Sequence, residues 1–134
     1  VRSQYNPATA YAFDKVFGPN ATSEEVYEVA ARPVIKAAME GVNGTVFAYG
    51  VTSSGKTHTM HGDQNCPGII PLAIRDVFSI IQDTPGREFL LRVSYLEIYN
   101  ELVQSWSNDF DNGSFCYCNC QDSSNGMNIC VLRI

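Results

Sequence analysis

Apolar positions along the chain recur in two periods, and the change of period marks the elements. Val26, Val29 and Ala30, then Ile35, Ala38 and Met39, return at helical spacing. Thr22 and Glu25, just ahead of them, have the spacing of a capping box, which satisfies amides left open at a helix start. Pro33 falls inside this pattern; it has no N–H to give and its ring meets the carbonyl four residues back, which predicts a kink or break. Thr45–Tyr49 is a short run of β-formers closed by Gly50, as suits a buried strand. Ile69, Ile70, Ala73, Ile74, Val77, Phe78 and Ile81 give a second helical stripe that ends at Thr84-Pro85-Gly86. Phe89–Tyr99 is the longest strand candidate, and the aromatic-rich Tyr11–Phe17 reads as a shorter one after an irregular lead-in over 1–10. Helix and strand alternate, so the predicted class is α/β: a mostly parallel sheet with flanking helices.

From Leu102 onward the pattern dissolves. Ser105–Asn128 is rich in Ser, Asn, Asp, Gly and Cys and shows no period of either kind. The reading therefore divides the chain into an ordered part, 1–103, and a divergent, disordered tail, 104–134. Cys116, Cys118, Cys120 and Cys130 all fall in that tail, while Cys66 stands apart. Their one-residue spacing is not the two-to-four-residue knuckle of zinc sites, and both histidines, His58 and His61, lie far upstream. No metal is expected there, and no disulfide.

Composition narrows the function. With 134 residues the chain is one domain at most, and 45% hydrophobic with 17% charged residues is the make-up of a globular protein. The net charge is −5 and the nine basic residues are scattered, which disfavours nucleic-acid binding. No apolar run is long enough to cross a membrane. The first residue is Val and no signal peptide precedes the ordered part, so a processed chain or a fragment is expected.

The chemistry is concentrated in Gly50-Val51-Thr52-Ser53-Ser54-Gly55-Lys56-Thr57, which fits G-x-x-x-x-G-K-[ST], the phosphate-binding loop. Gly50 and Gly55 permit backbone conformations that a Cβ would block, so the amides of Val51 to Lys56 can point into one concavity. Lys56 supplies a point charge for β- and γ-phosphates, the Thr57 hydroxyl is a hard oxygen ligand for Mg²⁺, and the following helix would add its dipole. A Gly/Ser-rich surface turn that happens to hold a lysine is the plain alternative. The β-run at 45–49 directly ahead of the loop argues against it, because strand, loop and helix are the unit the motif requires.

Residues 44–60, GTVFAYGVTSSGKTHTM, resemble the phosphate-loop signature of kinesin motor domains. FDKVFGP at 13–19, the helix EEVYEVAARPVIKAAMEGVNG, GIIP at 68–71 and SYLEIYNE at 94–101 extend the likeness over roughly residues 8–103. The wording is most similar to the centromere-associated kinesin-7 class, especially its plant members. The resemblance implies a partial P-loop NTPase domain that takes ATP with Mg²⁺ and belongs to a microtubule motor of the cytoplasmic cytoskeleton. It places the phosphates on Gly50 to Thr57, the metal on Thr57 and the adenine ring on His58, where a plain helix-surface histidine is the alternative. Residues 61–67 match a variable loop, and Tyr95, Glu97 and Tyr99 read as packing.

The resemblance also implies parts that these residues do not contain. The serine-rich switch (NxxSSRSH-like) and the second switch (DLAGSE-like), which position water and sense the γ-phosphate, have no match here, nor has the first strand with its Arg-x-Arg-Pro-type contact. The likeness stops after Tyr99-Asn100-Glu101-Leu102-Val103, so 104–134 is expected to be intron read-through or a faulty gene join. The reading is thus a truncated motor segment, ATP-binding by family but not expected to hydrolyse ATP by itself. No heptad segment for dimerisation is present. The alternatives are a non-catalytic fragment that interferes with a microtubule motor, or a nucleotide-binding module of another P-loop family.

Overall fold

Thr22 starts the first helix as its spacing predicts: its Oγ1 accepts a hydrogen bond from the Glu25 N–H at 3.1 Å. The computed structural model describes residues 10–89 in full and the backbone of 91–99, 102–108, 112–122 and 127–133. In it the first helical stripe is continuous through Pro33. α1 (Ser23–Val26) passes into a π-turn (Tyr27–Ala31), which passes into α2 (Arg32–Met39). The predicted kink or break is replaced by this wide turn. Pro33 cannot bond to the carbonyl of Val29, and widening the helix just ahead of it gives the ring room where a regular turn would clash.

The wide turn also decides which residues face inward. An extra residue in the turn rotates the helix surface, so Tyr27, Ala31 and Ile35 are buried while Val29, expected inside, is 47% exposed. α3 (Lys56–His61) contributes Met60 to the core, and α4 (Ile69–Gln82) contributes Ile69, Leu72, Ala73 and Val77. Burying each large aliphatic side chain in this cluster stabilises the fold by about 1.5–3 kcal/mol. The core is thus a three-way contact of α1–α2, α3 and α4, with Val46 and Ala48 of the preceding strand packed against it.

That strand, β1 (Thr45–Val51), alternates strictly between an exposed and a half-buried face, where its sequence predicts burial. The core helices cover its Val46 and Ala48 face, and among the described residues nothing covers Phe47, at 61% exposure, or Val51, at 62%. Tyr11–Phe17 is not a strand: residues 10–17 run irregularly and Tyr11 and Phe13 stay exposed, because a strand without a pairing partner has no place for its hydrogen bonds.

The sheet has the order β1-β5-β4-β2-β3, where β2 is Leu91–Tyr99, β3 Leu102–Asn108, β4 Asn112–Asp122 and β5 Met127–Arg133. A helical and β composition is as predicted, but the sheet is not mostly parallel. β2 pairs with β4 in parallel, whereas β1–β5, β2–β3 and β4–β5 are antiparallel. Links as short as those between β2 and β3 and between β4 and β5 permit only hairpins; a parallel partner needs a crossover of a dozen residues or more. The tail expected to be disordered carries most of β3 together with β4 and β5, whose Phe115-Cys116-Tyr117 and Ile129-Cys130-Val131-Leu132 are runs of β-formers. The side chains of Tyr95, Glu97 and Tyr99, read as packing, lie outside the described residues, as does most of the lead-in.

Candidate functional site

The loop lies where its motif requires, between the end of β1 and the start of α3. β1 takes in Gly50 and Val51, Thr52 to Gly55 make the turn, and Lys56 and Thr57 open the helix. Gly55 caps α3 with φ at 93°, in the left-handed region, and a Cβ built there would meet nothing within 4 Å. Its need for glycine is therefore conformational, not steric. Ser53 is the one non-glycine among the described residues with positive φ, at 63°. A side-chain-bearing residue in that region stores about 1 kcal/mol or more of strain, and such strain gathers at binding loops. The Ser54 N–H donates to the Val51 carbonyl at 3.2 Å and tightens the turn.

Lys56 reaches back over this turn. Its Nζ donates to the Gly50 carbonyl at 2.8 Å and to the Val51 carbonyl at 2.7 Å. An ammonium has three donors, so these two bonds fix the charge and leave one donor for an anion. Thr57 is exposed on the first turn of α3, and its hydroxyl is the hard oxygen the motif offers to Mg²⁺. The exposed loop residues Val51 to Gly55, a fixed ammonium and a hydroxyl form a donor set that fits a metal-bound polyphosphate. The dipole expected from the next helix is that of a short element: α3 spans only six residues before it stops at Gly62.

His58 is exposed on α3, with Nε2 3.9 Å from Asp63 Oδ2. Asp63 belongs to the loop that joins α3 to α4, the segment read as variable. Its Oδ1 accepts from the backbone N–H groups of Asn65 and Cys66, both at 2.8 Å. Those two amides, and to a lesser degree His58, hold the carboxyl below its ordinary pKa. Partial desolvation lowers the pKa of the neighbouring His61. The loop closes on itself where Gly62 (φ 72°) and Gly68 cross: a Cβ on Gly68 would lie 2.6 Å from backbone atoms of Met60, His61 and Gly62.

His58 and Thr59 form one wall of a cleft of about 330 Å³. The start of α1, with Thr22, Ser23, Glu24 and Val26, lines the same cleft, as do Asn65, Cys66 and Pro67. The structure thus brings all nine site residues read from the sequence, Gly50 to His58, onto one strand–loop–helix unit. Sequence reasoning missed the left-handed backbone of Ser53, the return of Lys56 onto the strand carbonyls, and the share of α1 in the cleft beside His58. Only Asp63-Gln64-Asn65, a run of turn formers, carried a local signal of its geometry.

The sequence profile of the kinesin motor domain matches residues 1–127. Among curated proteins, KIN-7K, chloroplastic, of Oryza sativa subsp. japonica is 84% identical over 103 residues, which is 77% of this chain and 10% of that protein. KIN-7D, mitochondrial, of Arabidopsis thaliana is 86% identical over 103 residues, again 77% of this chain and 10% of the relative. KIN-7D, chloroplastic, of Oryza sativa subsp. japonica is 71% identical over 108 residues, 81% of this chain and 11% of the relative. The chain therefore spans about a tenth of the curated relatives it matches. The profile takes in β1, the phosphate loop and every helix around them, and the chain belongs to the kinesin motor-domain family.

Proposed function

We propose that residues 50–57 bind the phosphates of Mg·ATP and that this chain is the nucleotide-binding segment of a plant kinesin-7-type microtubule motor. Kinesin motor domains bind ATP with Mg²⁺ and act on microtubules. The observation that carries the reading to these residues is the placement of the Lys56 ammonium on the Gly50 and Val51 carbonyls, beside an exposed Thr57 hydroxyl. In this reading the backbone of Val51 to Gly55 and Lys56 hold phosphate oxygens, Thr57 holds the metal, and His58 packs on the base. When bound, the metal would neutralise phosphate charge. Hydrolysis and movement along microtubules belong to the longer motor, whose switch motifs position water and sense the γ-phosphate; this chain by itself binds without turning over.

The test is equilibrium binding of labelled Mg·ATP to the purified chain and to Lys56→Ala. Binding lost by at least tenfold in the variant, with no phosphate released by either, is the expected result. Equal retention by both would put the binding elsewhere, and steady phosphate release by the parent chain would overturn the non-hydrolysing part. Cytoplasmic microtubules are the proposed location, checked by imaging the tagged chain against microtubule, plastid and mitochondrial markers.

A second reading is a non-catalytic fragment that interferes with a full motor. The uncovered β1 face with Phe47 and Val51 favours it, since exposed apolar surface of this kind marks contact sites. Adding the chain to a purified full-length KIN-7 motor separates the two: this reading requires the motor's microtubule-stimulated ATPase to fall as the chain is titrated in.

A further inference from the structure

The helix from Ser23 to Met39 widens at the one place where two of its side chains reach the same acceptor. At regular α-helical spacing, residues five apart lie about 140° apart around the axis, so Tyr27 and Arg32 would face different sides. Here the Arg32 N–H donates to the Tyr27 carbonyl, the i→i+5 bond of a π-turn, which stacks the two residues on one side. Both then meet a single atom of α4. Tyr27 Oη donates to Asp76 Oδ2 at 2.9 Å, and Arg32 Nε lies 3.0 Å from the same oxygen. That Nε is buried and off line for a hydrogen bond, so its tie to Asp76 is one of charge. Glu28 takes the outer guanidinium nitrogen, at 2.9 and 2.6 Å to its two oxygens.

We propose that Asp76 is a register lock. By engaging Tyr27 and Arg32 on one oxygen it holds the helix in the register with the wide turn, and so positions the α1 residues that line the cleft with His58. The competing register is close at hand. Closing the turn to regular helix would rotate Ser23–Val26 against α2 by about 100°, the angle of one residue. That rotation would take Tyr27 off Asp76 and out of the core it shares with Met60 of α3. Pro33 favours the wide turn from the other side, through its ring and its missing N–H. On this proposal one carboxylate biases the choice between the two registers. Burial and the Asp76 carboxylate both push the Tyr27 phenol up, which keeps its proton on Oη as the donor.

The test uses the isotopically labelled 134-residue chain. Amide exchange at Arg32 reads the i→i+5 bond itself, and the imidazole signals of His58 read the cleft. Asp76→Ala is expected to speed exchange at Arg32 by at least tenfold and to shift the His58 signals. Asp76→Asn, which can still accept from Tyr27, is expected to fall between parent and Asp76→Ala. If Asp76→Ala does not fold, Tyr27→Phe, which removes only the hydroxyl, is expected to move the same two signals. Unchanged Arg32 exchange and His58 signals in a folded variant would overturn the lock.

Discussion

At Gly55 the backbone, not the space around it, demands glycine. With φ at 93° and nothing within 4 Å of the place a methyl group would take, Gly55→Ala is expected to cost about 1–2 kcal/mol of stability and to weaken ATP binding. Urea unfolding and labelled-ATP binding on the same preparation check both halves. Asp63 gives a pH prediction. Two amide donors lower its pKa in the folded chain below the ordinary carboxylate value. Its contribution is therefore present above that ordinary value, near pH 4, and is lost as pH falls through the lowered folded pKa. Protection of the Asn65 and Cys66 amides, taken relative to their intrinsic exchange rates, should fall on acidification through this window, and Asp63→Ala should show low protection already at neutral pH. Lys56 and Thr57 were legible in the sequence because their motif fixes chemistry by residue type and spacing. Ser53 was not, because nothing in a serine announces a left-handed backbone.

The helices and β1 were legible as elements because the apolar period is long and closed by turn formers. α4 runs Ile69–Gln82, within the bounds that Pro67-Gly68 and Thr84-Pro85-Gly86 set. The inward face of the first helix was not legible. Pro33 signalled a disturbance, but whether a helix breaks or widens depends on what waits across the groove, here Asp76 of α4. Ile35 reports on this packing: it is fully buried in the core that α2 shares with α4, and Ile35→Ala is expected to cost about 2–5 kcal/mol, checked by chemical denaturation. Gly68→Ala should cost roughly 1–3 kcal/mol, since its methyl would press on backbone that has no rotamer to escape into. The strands beyond 104 are harder to read for another reason: Ser, Asn and Cys between β-formers blur the alternation, and pairing across strands is displayed by no single segment.

On the scale of the molecule, one side of β1 rests on helices and the other carries Phe47 and Val51 in the open. Exposed apolar strand surface promotes association between copies. Sedimentation velocity should show concentration-dependent self-association of the chain, reduced by Phe47→Lys with no loss of helical signal. The relation between sheet and loop reaches further than this face. The two carbonyls that hold the Lys56 ammonium belong to strand residues, Gly50 and Val51, and not to the turn between them and the helix. The positive charge is thus anchored to the strand while the intervening residues remain exposed. In the proposed binding mode an arriving polyphosphate would meet a stationary cation and a turn able to wrap around it. The lysine would have no search to make, and the ordering on binding would fall on the few residues of the turn.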